Sequence, residues 1–223
     1  MLCIIQMTKP LLSFQGPADP GMKTRMRPYL SKLQRLRLHH HMFAANQQAI
    51  KRLSLAYDHY VFLTGVSNKT NEPAANKAYK VRFQRGDNLG DRMKNACASA
   101  LKERYYKHII IIGSDCPSLS HTHFIEANKA LLSGSDAHIV KAKDGGYVLL
   151  AINEKLVSSS LSSIFEGINW GSDQVFAQTS ARLKQSRIPF TVAGPLNDID
   201  EVDDLATIDP RWYLSRNSNL HSL

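Results

Sequence analysis

A chain of 223 residues with 43% hydrophobic content can bury a core of its own, and that length suits one domain. The formal charge of +9 could draw nucleic acid, an anionic membrane or phosphorylated small molecules; basic residues scattered from Lys23 to Arg216 and only 8% aromatics argue against a nucleic-acid platform. No apolar run approaches the ~20 residues that span a bilayer, and MLCIIQMTKP lacks the parts of a secretion signal, so a soluble, cytoplasmic protein without a membrane partner is expected.

Residues 1–10 read as an N-terminal extension, with Met7 an alternative start, and LLSF (11–14) as the first strand. A helical stretch follows over about 31–57, then extended runs YVFLTG (60–65) and VRFQ (81–84), with a polar surface loop, 67–80, before the second. Leu89, Met93, Ala96 and Ala100 recur at helical spacing. Ile109 to Ile112 is a continuous β-branched run, the mark of a strand covered on both faces in a mostly parallel sheet. A helix over about 122–132 leads to AHIVKAKDGGYVLLAI, where Gly145 and Gly146 interrupt the extended pattern and predict a bend or hairpin. Strand and helix alternate, so a three-layer α/β/α sandwich with a mixed, mostly parallel sheet is expected over 11–210, with 211–223 a polar tail. No internal repeat is present. Cys3, Cys97 and Cys116 form no CxxC pair, which indicates neither a disulfide framework nor a thiolate zinc site.

The isoleucine run ends in GSDCPSL, which puts Asp115 where open α/β sheets gather ligands, outside the carboxyl ends of the strands. Asp115 could meet a cation there or bond turn amides before Pro117. LNDIDEVDDL adds Asp198, Asp200, Asp203 and Asp204. Hard oxygens so spaced suit Mg2+ or Mn2+, although Asp200 with Asp203 also resembles a helix cap. GPADPGMKTRM offers Gly16, Gly21, Lys23, Thr24 and Arg25 as a phosphate loop that is not a Walker A motif. His39, His40 and His41 cannot converge on one ion, because neighbouring helical positions point about 100° apart. Cys116 reads as a buried thiol and Trp170 as a pocket wall.

Taken together and in order, PADPGMKTRM, FQRGDNLGDRM, IIIIGSDCPSL, KDGGYVLLAI with IFEGINWGSDQV, and NDIDEVDDL resemble the nucleotide-diphospho-sugar transferase superfamily, the glycosyltransferase-A fold. The likeness runs from about Leu11 to Leu205. Within the superfamily the chain looks like the radical-SAM/selenodomain-associated, arsenosugar-biosynthesis-type glycosyltransferases. Sugar-nucleotide synthetases share stretches similar to Gly90–Arg92 and IDEVDDL. The resemblance implies that Lys23 and Arg25 approach nucleotide phosphates, and that Gln84, Gly86, Gly90 and Arg92 line the nucleotide pocket. Asp115 would hold the metal with Asp200, Asp198 competing for the second place, while Asp144, Gly145, Gly146, Tyr147 and Trp170 border the sugar or acceptor. Gln15 and Pro20 depart from the family's usual lysine and glycine.

The implied activity is metal-dependent transfer of a sugar from a nucleotide sugar to a small-molecule acceptor, with Mg2+ or Mn2+ as cofactor. Asp144 could be the acceptor's general base or a turn residue before Gly-Gly. Two alternatives stay open: a nucleotidyltransferase that uses a nucleoside triphosphate and a phosphorylated acceptor and releases pyrophosphate, and a nucleotide-binding protein without turnover.

Overall fold

In the computed structural model, which describes residues 1–9, 22–64 and 78–214, the sheet is built outward from the isoleucine run. That run is strand β4 (His108–Ile112). Successive side chains of a strand point to opposite faces. Ile109 and Ile111 accordingly enter one core cluster, and Ile110 and Ile112 the other. Seven strands pair in the order β3-β2-β1-β4-β6-β5-β7, where β1 is Leu2–Thr8, β2 Tyr57–Leu63, β3 Lys80–Phe83, β5 Ala137–Ala142, β6 Tyr147–Asn153 and β7 Phe190–Leu196. Every pairing is parallel except the two made by β6.

Helices cover both faces, giving the expected α/β/α layering. One face packs against α2 (Leu89–Glu103), α4 (Glu154–Ser159), α5 (Leu161–Phe165) and α6 (Val175–Gln185), through Met93, Leu156, Ile164 and Leu183. The other packs against α1 (Lys32–Lys51) and α3 (His121–Leu132), through Ala49, Ile50, Phe124 and Ala127. Ser31 starts α1 with a capping box, its hydroxyl accepting from the Gln34 amide and the Gln34 side chain accepting from the Ser31 amide. A short α7 (Arg211–Leu214) brings Trp212 and Tyr213 against α1. No helix among the described residues is long and apolar enough to cross a membrane.

Three expectations are corrected. Residues 2–8 are not an extension: all seven are buried, and they form a strand between β2 and β4. The predicted first strand, LLSF, lies outside the described residues, as do Gln15, Gly16, Pro20, Gly21 and most of the 67–80 loop. Met7 falls inside β1, so a chain begun there would lack most of an interior strand. The helix expected to reach Tyr57 stops at Lys51, because Tyr57 already pairs with Leu2 in the sheet. Strand β7 was not foreseen; it contains Gly194 and Pro195, which an edge strand with one neighbour tolerates.

The topology decides where chemistry can occur. Strands β1 to β4 run the same way, β6 runs against β4 and β5, and β7 follows β5. The loops after β4, β5 and β7, which carry Asp115, Asp144 and Asp198–Asp200, therefore leave one edge of the sheet.

Candidate functional site

Beneath Asp115 lies a buried polar relay. Gln47 Nε2 donates to Gln6 Oε1 at 2.6 Å, Gln6 Nε2 donates to Ser114 Oγ at 3.1 Å, and Ser114 Oγ donates to the Met7 carbonyl at 3.4 Å. Asn46 Nδ2 reaches the Gly113 carbonyl at 3.5 Å. A buried amide or hydroxyl is costly unless paired, so this chain fixes the turn after β4 against β1 and α1. The loop after β7 is tied on by the Ile199 amide, which donates to the Asp115 carbonyl at 2.9 Å.

Two carboxylates far apart in sequence meet at one cation. Lys23 Nζ lies 3.0 Å from Asp115 Oδ1 and 3.4 Å from Asp200 Oδ1, with the lysine side chain 4% exposed and that of Asp115 50%. Lys23 sits at φ 47°, a left-handed conformation unusual for a side-chain-bearing residue, at the head of a 3-10 turn over Thr24–Met26. Arg25 Nη1 flanks it, 2.9 Å from Asp200 Oδ2 and 3.3 Å from Glu201 Oε1. No oxygen of the Asp115 side chain accepts from a turn amide among the described residues. Burial pushes the Asp115 carboxyl up, but the charges of Lys23 and His39 outweigh it and hold the group below its ordinary value.

The other acids divide by role. Asp204 Oδ2 accepts from the amides of Asp200 and Glu201 at 2.9 and 2.7 Å, so the capping box pairs Glu201 with Asp204, not Asp200 with Asp203. Asp198 makes no ion pair with Lys23 or Arg25; burial, reinforced by the nearby Asp144 charge, raises it to about 6. Asp144 is an exposed turn residue whose Oδ1 accepts from the Gly146 amide at 2.8 Å. Its neighbour Gly145, at φ +90°, lies against the Asp173 backbone and accepts from the Phe176 amide at 2.9 Å. Tyr147 is partly buried against the core, with its hydroxyl buried. Beside the hairpin is a cavity of about 310 Å³ lined by Lys141, Lys143, Asp173, Phe176 and Pro195, among others.

On the β3 side, Gln84 Nε2 donates to the carbonyls of Thr8 and Phe62 at 3.1 and 2.8 Å, fastening the ends of β1 and β2. Arg92 Nε holds the Gly86 carbonyl at 3.1 Å. Gly90 gives Trp170 its seat, since a Cβ there would stand 2.7 Å from the indole. Trp170 also meets Phe165 edge-on at 5.8 Å. Cys116 is buried, which pushes its thiol up and away from thiolate chemistry.

Residues not assigned to the site from the sequence lie beside it. His39 Nε2 lies 3.1 Å from Thr8 Oγ1, and burial lowers its pKa to about 4 despite the Asp115 charge. His41 points elsewhere and stacks on Trp212 at 5.7 Å. The signal that could have exposed the relay was polar Gln6 within LCIIQM and the Asn46–Gln47 pair within an apolar helix face, since polar residues inside are the informative exception.

The donor set bears on Mg2+ or Mn2+. The facing oxygens of Asp115 and Asp200 can be no farther apart than their two distances to Lys23 laid end to end. Two hard oxygens suit an ion that keeps its waters and takes further oxygens from phosphate. Among the described residues, no group of three or more His, Cys, Asp or Glu could hold a metal. The pair could supply two oxygens of such an octahedral shell, provided Lys23 gives way.

A family model described as "Uncharacterized protein conserved in bacteria (DUF2064)" matches residues 47–172, more than half the chain. The chain belongs to this family. No curated protein matches it in sequence. Among solved structures, a proposed nucleotide-diphospho-sugar transferase from Desulfovibrio desulfuricans G20 is 24% identical, with a TM-score of 0.77 over 99% of this chain and 92% of that one. CMP:2-keto-3-deoxy-manno-octonic acid synthetase complexed with CTP is 8% identical, TM-score 0.53, over 92% and 95%. A 2-C-methyl-D-erythritol 4-phosphate cytidylyltransferase from Thermus thermophilus is 11% identical, TM-score 0.50, over 91% and 95%. At these identities the likeness is one of fold: this DUF2064 chain has the architecture of nucleotide-diphospho-sugar transferases and nucleotidyltransferases.

Proposed function

We propose that this protein transfers a group from an activated nucleotide, and that it is a metal-dependent glycosyltransferase moving a sugar from a nucleotide sugar to a small-molecule acceptor, of the radical-SAM/selenodomain-associated type. The observation that carries the reading is the meeting of Asp115, Asp200 and Lys23, with Arg25 alongside, at the edge where parallel strands end. Opposed carboxylates and cations at one point suit a metal-bound diphosphate.

In this reading Lys23 and Arg25 turn to the phosphates and meet charge as it grows on the leaving group. Asp115 and Asp200 would hold a divalent ion, which would supply Lewis-acid stabilisation of the same charge. Gln84 and Gly86 shape the nucleotide side by fastening strand ends and loop. Arg92 adds a half-exposed guanidinium, and Gly90 admits the Trp170 wall. Gly145 and Gly146 shape the acceptor side, where Asp144 and Asp198 face each other's charge. The chain acts as one domain that includes β1, in a reducing compartment such as the cytoplasm, which suits three free, buried cysteines. Nucleic acid and membrane are not partners.

A second reading, nucleotidyl transfer from a nucleoside triphosphate with release of pyrophosphate, is favoured by the similarly folded synthetase that holds CTP and by the cytidylyltransferase. Thermal shift against nucleotides and nucleotide sugars with Mg2+ or Mn2+ tests the site. A ligand at 100 times its Kd adds about 2.7 kcal/mol, which is roughly 5–10 °C at this size. Asp115→Asn should abolish the metal-dependent component; an unchanged response would remove Asp115 from the site. Product analysis then separates nucleoside diphosphate release from pyrophosphate release.

A further inference from the structure

The ammonium of Lys23 stands where a metal shared by Asp115 and Asp200 would have to stand. It is 3.0 and 3.4 Å from their oxygens, on a side chain buried to 4% exposure. Its backbone is in the left-handed region, a cost that persists only where surroundings enforce it. Arg25 adds a second positive charge to Asp200. Asp115 and Asp200 are thus each already paired with a cation, Arg25 being shared with Glu201, and a free divalent ion entering between the two aspartates must displace Lys23. A diphosphate changes that balance, because it brings the anionic oxygens that Lys23 and Arg25 can take in exchange.

We propose that Lys23 is a resident counter-ion that keeps the Asp115–Asp200 pair closed to free divalent metal and yields it only when phosphate arrives. Metal and diphosphate then enter together, and the protein alone is a poor metal binder. This rests on the metal site proposed above and gives Lys23 a role before the phosphate arrives as well as after. Metal preloading, which would hold a bare Lewis acid against water between turnovers, is suppressed.

Equilibrium dialysis of the full-length chain against Mn2+, without and with inorganic pyrophosphate on both sides of the membrane, tests it. Without pyrophosphate, Lys23→Met should bind Mn2+ at least about tenfold tighter than the parent. Asp115→Asn placed in the Lys23→Met background should lose that gain, and Lys23→Arg, which keeps the charge, should behave as the parent. With pyrophosphate, the gap between parent and Lys23→Met should close. Lys23→Gln repeats the measurement if two facing acids prevent Lys23→Met from folding; in either variant Mn2+ should raise the melting temperature more than in the parent. Equal, measurable Mn2+ binding by parent and Lys23→Met overturns the counter-ion role while leaving the metal site standing. A gap that pyrophosphate does not close overturns the exchange. No Mn2+ binding by any form under either condition overturns the metal site itself.

Discussion

Gly145 joins the hairpin that carries Asp144 to helix α6, and replacing it by alanine separates two energies that usually travel together. At φ +90°, alanine pays the left-handed penalty of roughly 1–2 kcal/mol. Its Cβ would also stand 2.0 Å from the Asp173 carbonyl oxygen, a backbone atom that no rotamer change can move. Overpacking against fixed backbone costs a further ~1–3 kcal/mol, and more if the bond from the Phe176 amide to the Gly145 carbonyl is lost. Gly171 is the matched control: its φ of +87° carries the same penalty, but a Cβ there meets nothing within 4 Å. The gain from a stiffer unfolded chain is common to both variants and cancels. Gly171→Ala should therefore lose ~1 kcal/mol and Gly145→Ala ~2–4 kcal/mol, which at ~2–4 °C per kcal/mol is a drop of about 4–16 °C for the second. Urea denaturation followed by far-UV circular dichroism, with thermal melts beside it, reads both. Coincident midpoints for the two variants would refute the close approach of hairpin and α6.

Acid should weaken the fold through histidines held neutral: burial lowers His39 from 6.5 to about 4 and His59 from 6.5 to about 3. Because their folded values lie below the unfolded ones, the stability they contribute is complete above 6.5 and is lost as pH falls toward those values. For His39 the loss is on the order of 3 kcal/mol, so His39→Gln should flatten the fall in urea midpoint between pH ~6.5 and ~4; an unaltered slope would mean His39 is not held neutral. A chain begun at Met7 loses the Leu2–Gln6 segment of β1, every residue of it buried between β2 and β4. It should show neither native circular dichroism nor a cooperative melt, and a cooperative melt would show that the strand is dispensable.

What the residues determine by themselves is local. The four β-branched isoleucines before Gly113 read as a strand covered on both faces, and they are buried in one. Asp-Gly-Gly between two extended runs makes a turn, and the spacing from Leu89 onward makes a helix, because these patterns are set by neighbours along the chain. The same logic misreads Leu2–Thr8, a run too short to declare itself interior until β2 and β4 flank it. It places Asp115 at a sheet edge, while the pairing with Asp200 is implied only by the family resemblance, and neither names Lys23 as their partner. Charge compensation acts through space, and only the fold could bring Lys23 within 3.4 Å of both acids, give Asp204 to the backbone amides, and leave Asp198 facing Asp144. Pattern along the chain gives elements and edges. Which charge answers which is decided when strands distant in sequence lie side by side, since Coulomb interactions depend on separation in space and on burial, and neither is encoded in any single stretch.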